Sequence, residues 1–294
     1  MSLPNYMFIG AAKSATTTFF DILKKHEDIF VPKFKEPHFF NIDENYFKGI
    51  DWYKKTYFTD INNESVIVDF TPTYLYYKLC AERIFDSLGP NVKFVIILRN
   101  PVDRAYSHYN HSKRDGHEVS SFEDAIKLEN ERIEKFRDKN DFLSELRCSY
   151  ISQGLYFEMI SAYLKYFDLN NFFIINFESE VVQNLDQTLL KLSKFLKIDL
   201  SNLDYEIHSN KSGKPKYKLL QNIITNNNLF RKILKMIVPQ KQRQIIRNKI
   251  KNFNKEDFVY LQLSEEKRRQ LFEKYFRKDI MKLENLIGKK MNWN

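Results

Sequence analysis

The stretch Phe8-Ile9-Gly10-Ala11-Ala12-Lys13-Ser14-Ala15-Thr16-Thr17-Thr18 joins an apolar run to a turn of small residues that holds one lysine and a cluster of hydroxyls. A turn of this kind can cradle a phosphate. It predicts a strand from Tyr6 to Ile9, a tight turn from Gly10, and a helix from about Thr16 to His26. The first amides of that helix have no acceptor inside it and would face the turn, where Lys13 adds a full charge. A Walker-type loop requires a glycine directly before the lysine, and none stands there, so the spacing argues against that motif. Taken alone, the stretch also fits an ordinary strand-to-helix turn with an exposed lysine.

Comparable apolar runs lie at Val66 to Phe70, Phe94 to Leu98 and Phe172 to Phe177, each followed by a segment of helical periodicity. Continuous runs mark strands buried on both faces. Alternation with helices predicts an α/β fold in three layers, a central parallel sheet flanked by helices, with ligands at the carboxyl ends of the strands. Gly10, Asp69 and Arg99 fall at such ends. Further helices are predicted over about Ser120 to Lys139 and Tyr156 to Phe167. No strand is expected beyond Lys216. The chain reads as one domain over residues 1–294, an α/β core of about 1–215 with a C-terminal helical extension of about 216–294 packed on it. Asn226-Asn227-Asn228 is the best linker candidate.

Composition narrows the function classes. Apolar residues make up 43% of the chain, with 26 Phe and 17 Tyr, enough for a substantial core. Only 7 Gly and 8 Pro are present, which disfavours long disordered linkers. Cys80 and Cys148 are too few for a disulfide framework and suit a reducing compartment. No signal-peptide pattern and no run of about 18 apolar residues is found, so the expectation is a soluble, cytoplasmic protein. The net charge of +9 is local: between Ile207 and Lys255 stand thirteen Lys or Arg and no Asp or Glu, while the rest carries 34 basic and 38 acidic residues. This implies an anionic partner near that segment. Its helical stripe of Leu229, Phe230, Ile233, Leu234 and Ile237 could rest on an anionic inner membrane surface, or simply pack on the core.

A second constellation is Leu98-Arg99-Asn100-Pro101-Val102-Asp103-Arg104-Ala105-Tyr106-Ser107. An apolar strand ends in Arg99, Pro101 suits the first turn of a helix, and Ser107 lies about two turns in. Arginine offers a planar fork to a phosphate and a hydroxyl donates one more bond. The alternative is a surface pair of Arg99 with Asp103. Two anion sites at neighbouring strand ends fit a nucleotide with phosphates at both ends.

Together, GAAKSATTT, KEPHFF and LRNPVDRAYSHY resemble the sulfotransferases that use 3′-phosphoadenosine 5′-phosphosulfate (PAPS), and within them the heparan-sulfate and bacterial carbohydrate branch. The resemblance continues through Gly154-Leu155-Tyr156, the turn Asn210 to Pro215, and Leu286-Ile287-Gly288 with Trp293, so it spans nearly the whole chain. It implies a P-loop-like fold. It further implies that Lys13, Ser14, Ala15, Thr16, Thr17 and Thr18 hold the 5′-phosphosulfate and that Arg99 and Ser107 bind the 3′-phosphate. Tyr156 and Lys214 are implied as further nucleotide contacts, with Lys211 or Lys216 able to substitute for Lys214. Lys35, Asp69 and Thr71 are implied as acceptor contacts. The product is adenosine 3′,5′-bisphosphate, the acceptor a carbohydrate or glycolipid, and neither a metal nor a nucleic acid is expected. Two positions depart from the pattern: Ala15 stands where glycine is usual, so its φ must avoid positive values or accept strain. Phe70 stands where lysine is frequent, removing a cation that a heavily anionic acceptor would use.

Sulfuryl transfer through a loose transition state calls for positioning and charge stabilisation. Lys13 is expected to neutralise charge on the bridging oxygen. Glu36 is expected to be the general base, with His38 the competing candidate. Lys35 would lower the Glu36 pKa while burial beside Phe39 and Phe40 would raise it. Two other readings remain at this point: a magnesium-dependent nucleotide kinase with Asp69 at the metal-holding strand end, and a nucleic-acid-binding protein built on the basic segment. His108, His111 and His117 lack acidic or cysteine companions for a zinc site.

Overall fold

A computed structural model describes residues 3–203 and 262–293, together with the backbone of 213–215 and 255–257. The described chain divides into two compact units, one of residues 3–105, 151–203 and 265–293, the other of 106–150 with 213–215, 255–257 and 262–264. This division differs from the expected core of 1–215 with a trailing extension.

The first unit is built on five parallel strands: β1 (Tyr6–Gly10), β2 (Ile29–Phe30), β3 (Val66–Phe70), β4 (Lys93–Leu98) and β5 (Phe172–Asn176), in the order β2-β3-β1-β4-β5. All residues of β1 and β3 are buried, and so are the last five of β4, as continuous apolar runs demand. One face packs Phe8, Val68, Phe70, Val95 and Ile97 against α1 (Thr16–Leu23) and α10 (Leu185–Leu196), through Phe19, Ile22, Leu23, Leu189 and Leu192. On the other, Phe94 meets Tyr163 and Phe167 at ring separations of 5.5 and 4.7 Å, next to α9 (Tyr156–Tyr163). The expected three-layer, P-loop-like α/β architecture is thus present.

Strand order places β1 between β3 and β4, so the connection leaving β1 runs to the β2 side while that leaving β4 runs to the β5 side, which opens a crevice at their carboxyl ends. The chain turns tightly there. Leu75 N donates to Ile9 O at 2.9 Å, and a Cβ on Gly10 would come within 2.5 Å of Leu75 Cδ2, which only glycine avoids. Between β2 and β3 stand α2 (Asp43–Tyr46) and α3 (Ile50–Tyr57), and α4 (Leu79–Leu88) follows β3. The helix α11 (Glu265–Leu271) runs through a π turn at Phe272–Phe276 into α12 (Arg277–Ile287), within the first unit.

Helix α5 (Pro101–Arg114) begins in the first unit and ends in the second. The second unit continues with α6 (Phe122–Lys127), α7 (Glu129–Arg137) and α8 (Phe142–Cys148). Its buried Glu118 accepts from the amides of Val119 and Ser120, from Arg132 and from the Tyr150 hydroxyl. Here also β6 (Gly213–Pro215) pairs antiparallel with β7 (Lys255–Asp257). The expectation of no strand beyond Lys216 is corrected at β7, whose Lys-Glu-Asp sequence has none of the apolar signal used to find strands. Lys211, Lys216, the side chain of Lys214, the Asn226 to Asn228 linker and the apolar stripe from Leu229 to Ile237 lie outside the described residues. Among the described residues, no helix is long and apolar enough to cross a membrane.

Candidate functional site

The loop after β1 carries a left-handed backbone at two non-glycine residues, Lys13 (φ 73°) and Ala15 (φ 61°, ψ 19°). Ala15 has therefore taken the conformation that glycine would adopt freely, at a cost of about 1–2 kcal/mol. Ala15 is also the N-cap of α1 and has no side chain to cap with. The first intrahelical bonds run from the Thr18 and Phe19 amides to Ala15 O, so the Thr16 and Thr17 amides have no acceptor within the helix. Ser14 is fully buried, and its hydroxyl has no hydrogen-bond partner among the described residues. A buried unpaired hydroxyl costs about 1–3 kcal/mol unless something fills its position. These groups fit a phosphate-bearing ligand.

Arg99 closes the neighbouring strand end. Its Nη1 donates to Lys13 O at 3.1 Å and its guanidinium lies 5.0 Å from the Phe177 ring centre. Arg99 and the lysine loop are thus one assembly, not two separate devices, and the surface pair with Asp103 does not form: Asp103 bonds Arg268 at 2.6 Å. Ser107 is half-buried, on the part of α5 that belongs to the second unit. Tyr156 is the residue that the resemblance implies as a further nucleotide contact. It is fully buried, burial raises its pKa, and its hydroxyl is spent on Arg99 O at 2.8 Å, so it props the strand end from behind. Its ring packs on Trp293, which donates to Glu178 at 2.8 Å, and Glu178 in turn accepts from Asn100 N at 2.9 Å. Glu178 carries no motif in the chain, and its role depends on Trp293 of the C-terminal segment packing beside the end of β5.

The segment bearing KEPHFF lies across the carboxyl end of β3, where Glu36 N donates to Phe70 O at 3.1 Å. Glu36 and His38 both hold positive φ, 63° and 53°, another pair of strained residues at one site. His38 Nε2 stands 3.5 Å from Glu36 Oε2, and its Nδ1 faces Asn41 Oδ1 at 3.2 Å. Asn41 is itself held by its amide donating to Thr73 Oγ1 at 2.8 Å. Lys35 Nζ lies 3.6 Å from Glu36 Oε1. Burial raises the Glu36 pKa, but the His38 hydrogen bond and the Lys35 charge together outweigh it and hold the carboxyl below its usual range. The competition that the sequence leaves open is decided by these two neighbours.

Asp69 and Thr71, which the resemblance implies as acceptor contacts, are both 0% exposed. Asp69 accepts from Tyr53 OH at 2.5 Å, Thr71 Oγ1 at 2.6 Å and Tyr74 OH at 3.2 Å. Burial, against the pull of those hydroxyls, pushes its carboxyl up to about 6. Tyr74 OH also accepts from Phe39 N at 2.9 Å, and Phe39 stacks on Tyr53 at 4.4 Å. Asp69 therefore supports the segment that carries Glu36 and His38 from below. With three hydroxyls against it, it is also unsuited to the magnesium-holding role of the kinase reading. Phe70 is core: it stacks on Phe8 at 4.2 Å and meets Phe20 edge-on at 5.3 Å.

The sequence profile of the sulfotransferase domain matches residues 3–289. The chain belongs to the sulfotransferase family. Among its curated relatives, heparan sulfate glucosamine 3-O-sulfotransferase 5 of Mus musculus is 29% identical over 76% of this chain and 62% of its own length. The bifunctional heparan sulfate N-deacetylase/N-sulfotransferase 1 of Caenorhabditis elegans is 30% identical over 70% of this chain and 23% of its own length. The chain thus spans less than two thirds of these relatives. A crystal structure of a sulfotransferase from Alicyclobacillus acidocaldarius superposes with a TM-score of 0.69 at 24% identity, covering 99% of this chain and 98% of that one. This likeness establishes a shared sulfotransferase fold.

Proposed function

We propose that this sulfotransferase moves a sulfuryl group from PAPS to a hydroxyl or amine of a carbohydrate or glycolipid acceptor. The observation that carries the reading is the assembly at the end of β1, where a positive-φ lysine loop, a buried unpaired serine hydroxyl and an uncapped helix start are clamped by Arg99 from the next strand. The donor supplies an activated sulfuryl group on a phosphate. Lys13, Ser14 and Thr16 to Thr18 bind its 5′ end, Arg99 its 3′-phosphate, and Lys13 offsets charge gathering on the bridging oxygen. Glu36 receives the acceptor proton: its depressed pKa keeps it ionised at neutral pH, and His38, itself held by Asn41, fixes its direction.

Calorimetric titration with adenosine 3′,5′-bisphosphate, ATP and ADP, each with and without magnesium, tests the nucleotide. The bisphosphate should bind without metal and more tightly than the other two. Magnesium-dependent ATP binding in its place would refute the proposal. A glycan array with labelled PAPS then tests the acceptor class.

A further inference from the structure

Lys35 precedes Glu36 in the chain, yet its side chain reaches back to the donor loop. Its Nζ donates to Thr17 Oγ1 at 2.8 Å and lies 3.5 Å from Thr16 Oγ1, while Glu36 Oε1 is 3.6 Å away. The side chain is 17% exposed, and burial lowers its pKa against the opposing charge of Glu36. Two neutral hydroxyls, one carboxylate oxygen beyond good hydrogen-bond distance and the charge of Asp21 acting without a hydrogen bond are a thin set of partners for a largely desolvated ammonium. Such a charge is better matched by an anion that arrives between them.

We infer that Lys35 is a catalytic residue on the donor side, its ammonium contacting the sulfuryl group in transit, and not a contact for the acceptor. The inference rests on the reading of the site as a sulfuryl-transfer site. In an in-line transfer the group travels from the phosphate held at the start of α1 toward the acceptor atom that Glu36 deprotonates. One ammonium lies 2.8 Å from Thr17 Oγ1 in the donor loop and 3.6 Å from Glu36 Oε1 on the acceptor side, so it stands between the groups assigned to the two ends of that path. The bond from sulfur to the bridging oxygen breaks, and its electron pair stays on the 5′-phosphate of the departing bisphosphate. A new bond joins sulfur to the acceptor oxygen or nitrogen, and the acceptor proton passes to Glu36. Lys35 keeps its proton throughout and offsets charge on the sulfuryl oxygens, while Lys13 serves the bridging oxygen.

The test compares wild type, Lys35→Met and Lys35→Arg by calorimetry with PAPS and with adenosine 3′,5′-bisphosphate, without acceptor, and then by steady-state kinetics. The two nucleotides differ only in the sulfuryl group. Lys35→Met should lose about tenfold or more in PAPS affinity, the size of one charge-assisted bond, with a much smaller loss for the bisphosphate. Its kcat should fall by about 100-fold, and Lys35→Arg should regain part of both losses. Equal losses for the two nucleotides, or no loss for either, would overturn the inference. If Lys35→Met fails to fold, as judged by its thermal melt, Lys35→Gln takes its place with the same criteria. Failure of wild type to bind either nucleotide would instead sink the sulfotransferase reading itself.

Discussion

Asp69 is the group through which pH should act on the stability of the first unit. Burial raises its pKa from 3.8 to about 6, because the hydroxyls of Thr71, Tyr53 and Tyr74 only partly replace lost water. Between those two values the folded protein keeps a proton that the unfolded chain has released. Stability therefore falls as pH rises from about 4 to about 6, and the contribution is complete only below the unfolded value. A gap of about two units corresponds to about 3 kcal/mol at 1.36 kcal/mol per unit. Asp69→Asn keeps the shape and an oxygen acceptor but cannot ionise. Urea unfolding followed by tryptophan fluorescence reads the right region, since Trp52 and Trp293 both lie in the unit that contains Asp69. The stability of wild type minus that of the variant should drop by about 3 kcal/mol between pH of about 4 and about 7. Asp279, also raised to about 6 by burial, is common to both proteins and cancels in the difference. A difference that stays flat across this range would refute the reasoning. So would one that rises with pH.

Four further outcomes follow from the site. Ala15→Gly relieves a left-handed alanine at the cost of greater freedom in the unfolded chain, for a net gain of about 0.5–1 kcal/mol and a higher melting temperature by calorimetry; a lower one would contradict the strain assigned to Ala15. Gly10→Ala should destabilise by about 1–3 kcal/mol in the same assay, and adding Leu75→Ala should recover only part, because Leu75 Cβ remains 2.8 Å from the new methyl. Burial and the His38 and Lys35 contacts leave Glu36 below its ordinary 4.5, so the acid limb of kcat/KM should lie below that pH and move upward in His38→Gln. Glu36→Gln should bind adenosine 3′,5′-bisphosphate normally yet lose most turnover; retention of wild-type kcat would remove Glu36 as the base.

Much of the fold is legible in the chain because its strands are buried on both faces. The apolar runs at Tyr6 to Ile9, Val66 to Phe70, Phe94 to Leu98 and Phe172 to Phe177 fall on β1, β3, β4 and β5. β2 contributes two residues and β7 three, too few for any period to register. The donor loop and Arg99 were readable for a related reason, since each sits at the end of such a run. Residue type alone was a poorer guide to burial: Asp69, Thr71 and Tyr156 have the chemistry of ligand-binding groups, and all three are fully buried.

The sequence by itself determined the parallel sheet, the lysine loop at its switch point and the family, since these depend on apolar runs and on residues close together in the chain. Only the tertiary structure decided that Arg99 clamps the Lys13 backbone, that Lys35 faces the donor loop, and that Glu36 ends with a lowered pKa while Asp69 ends with a raised one. The physical reason is that a carboxylate's fate depends on which charges, hydroxyls and apolar walls surround it. Those neighbours come from segments far apart in sequence, brought together only by the fold.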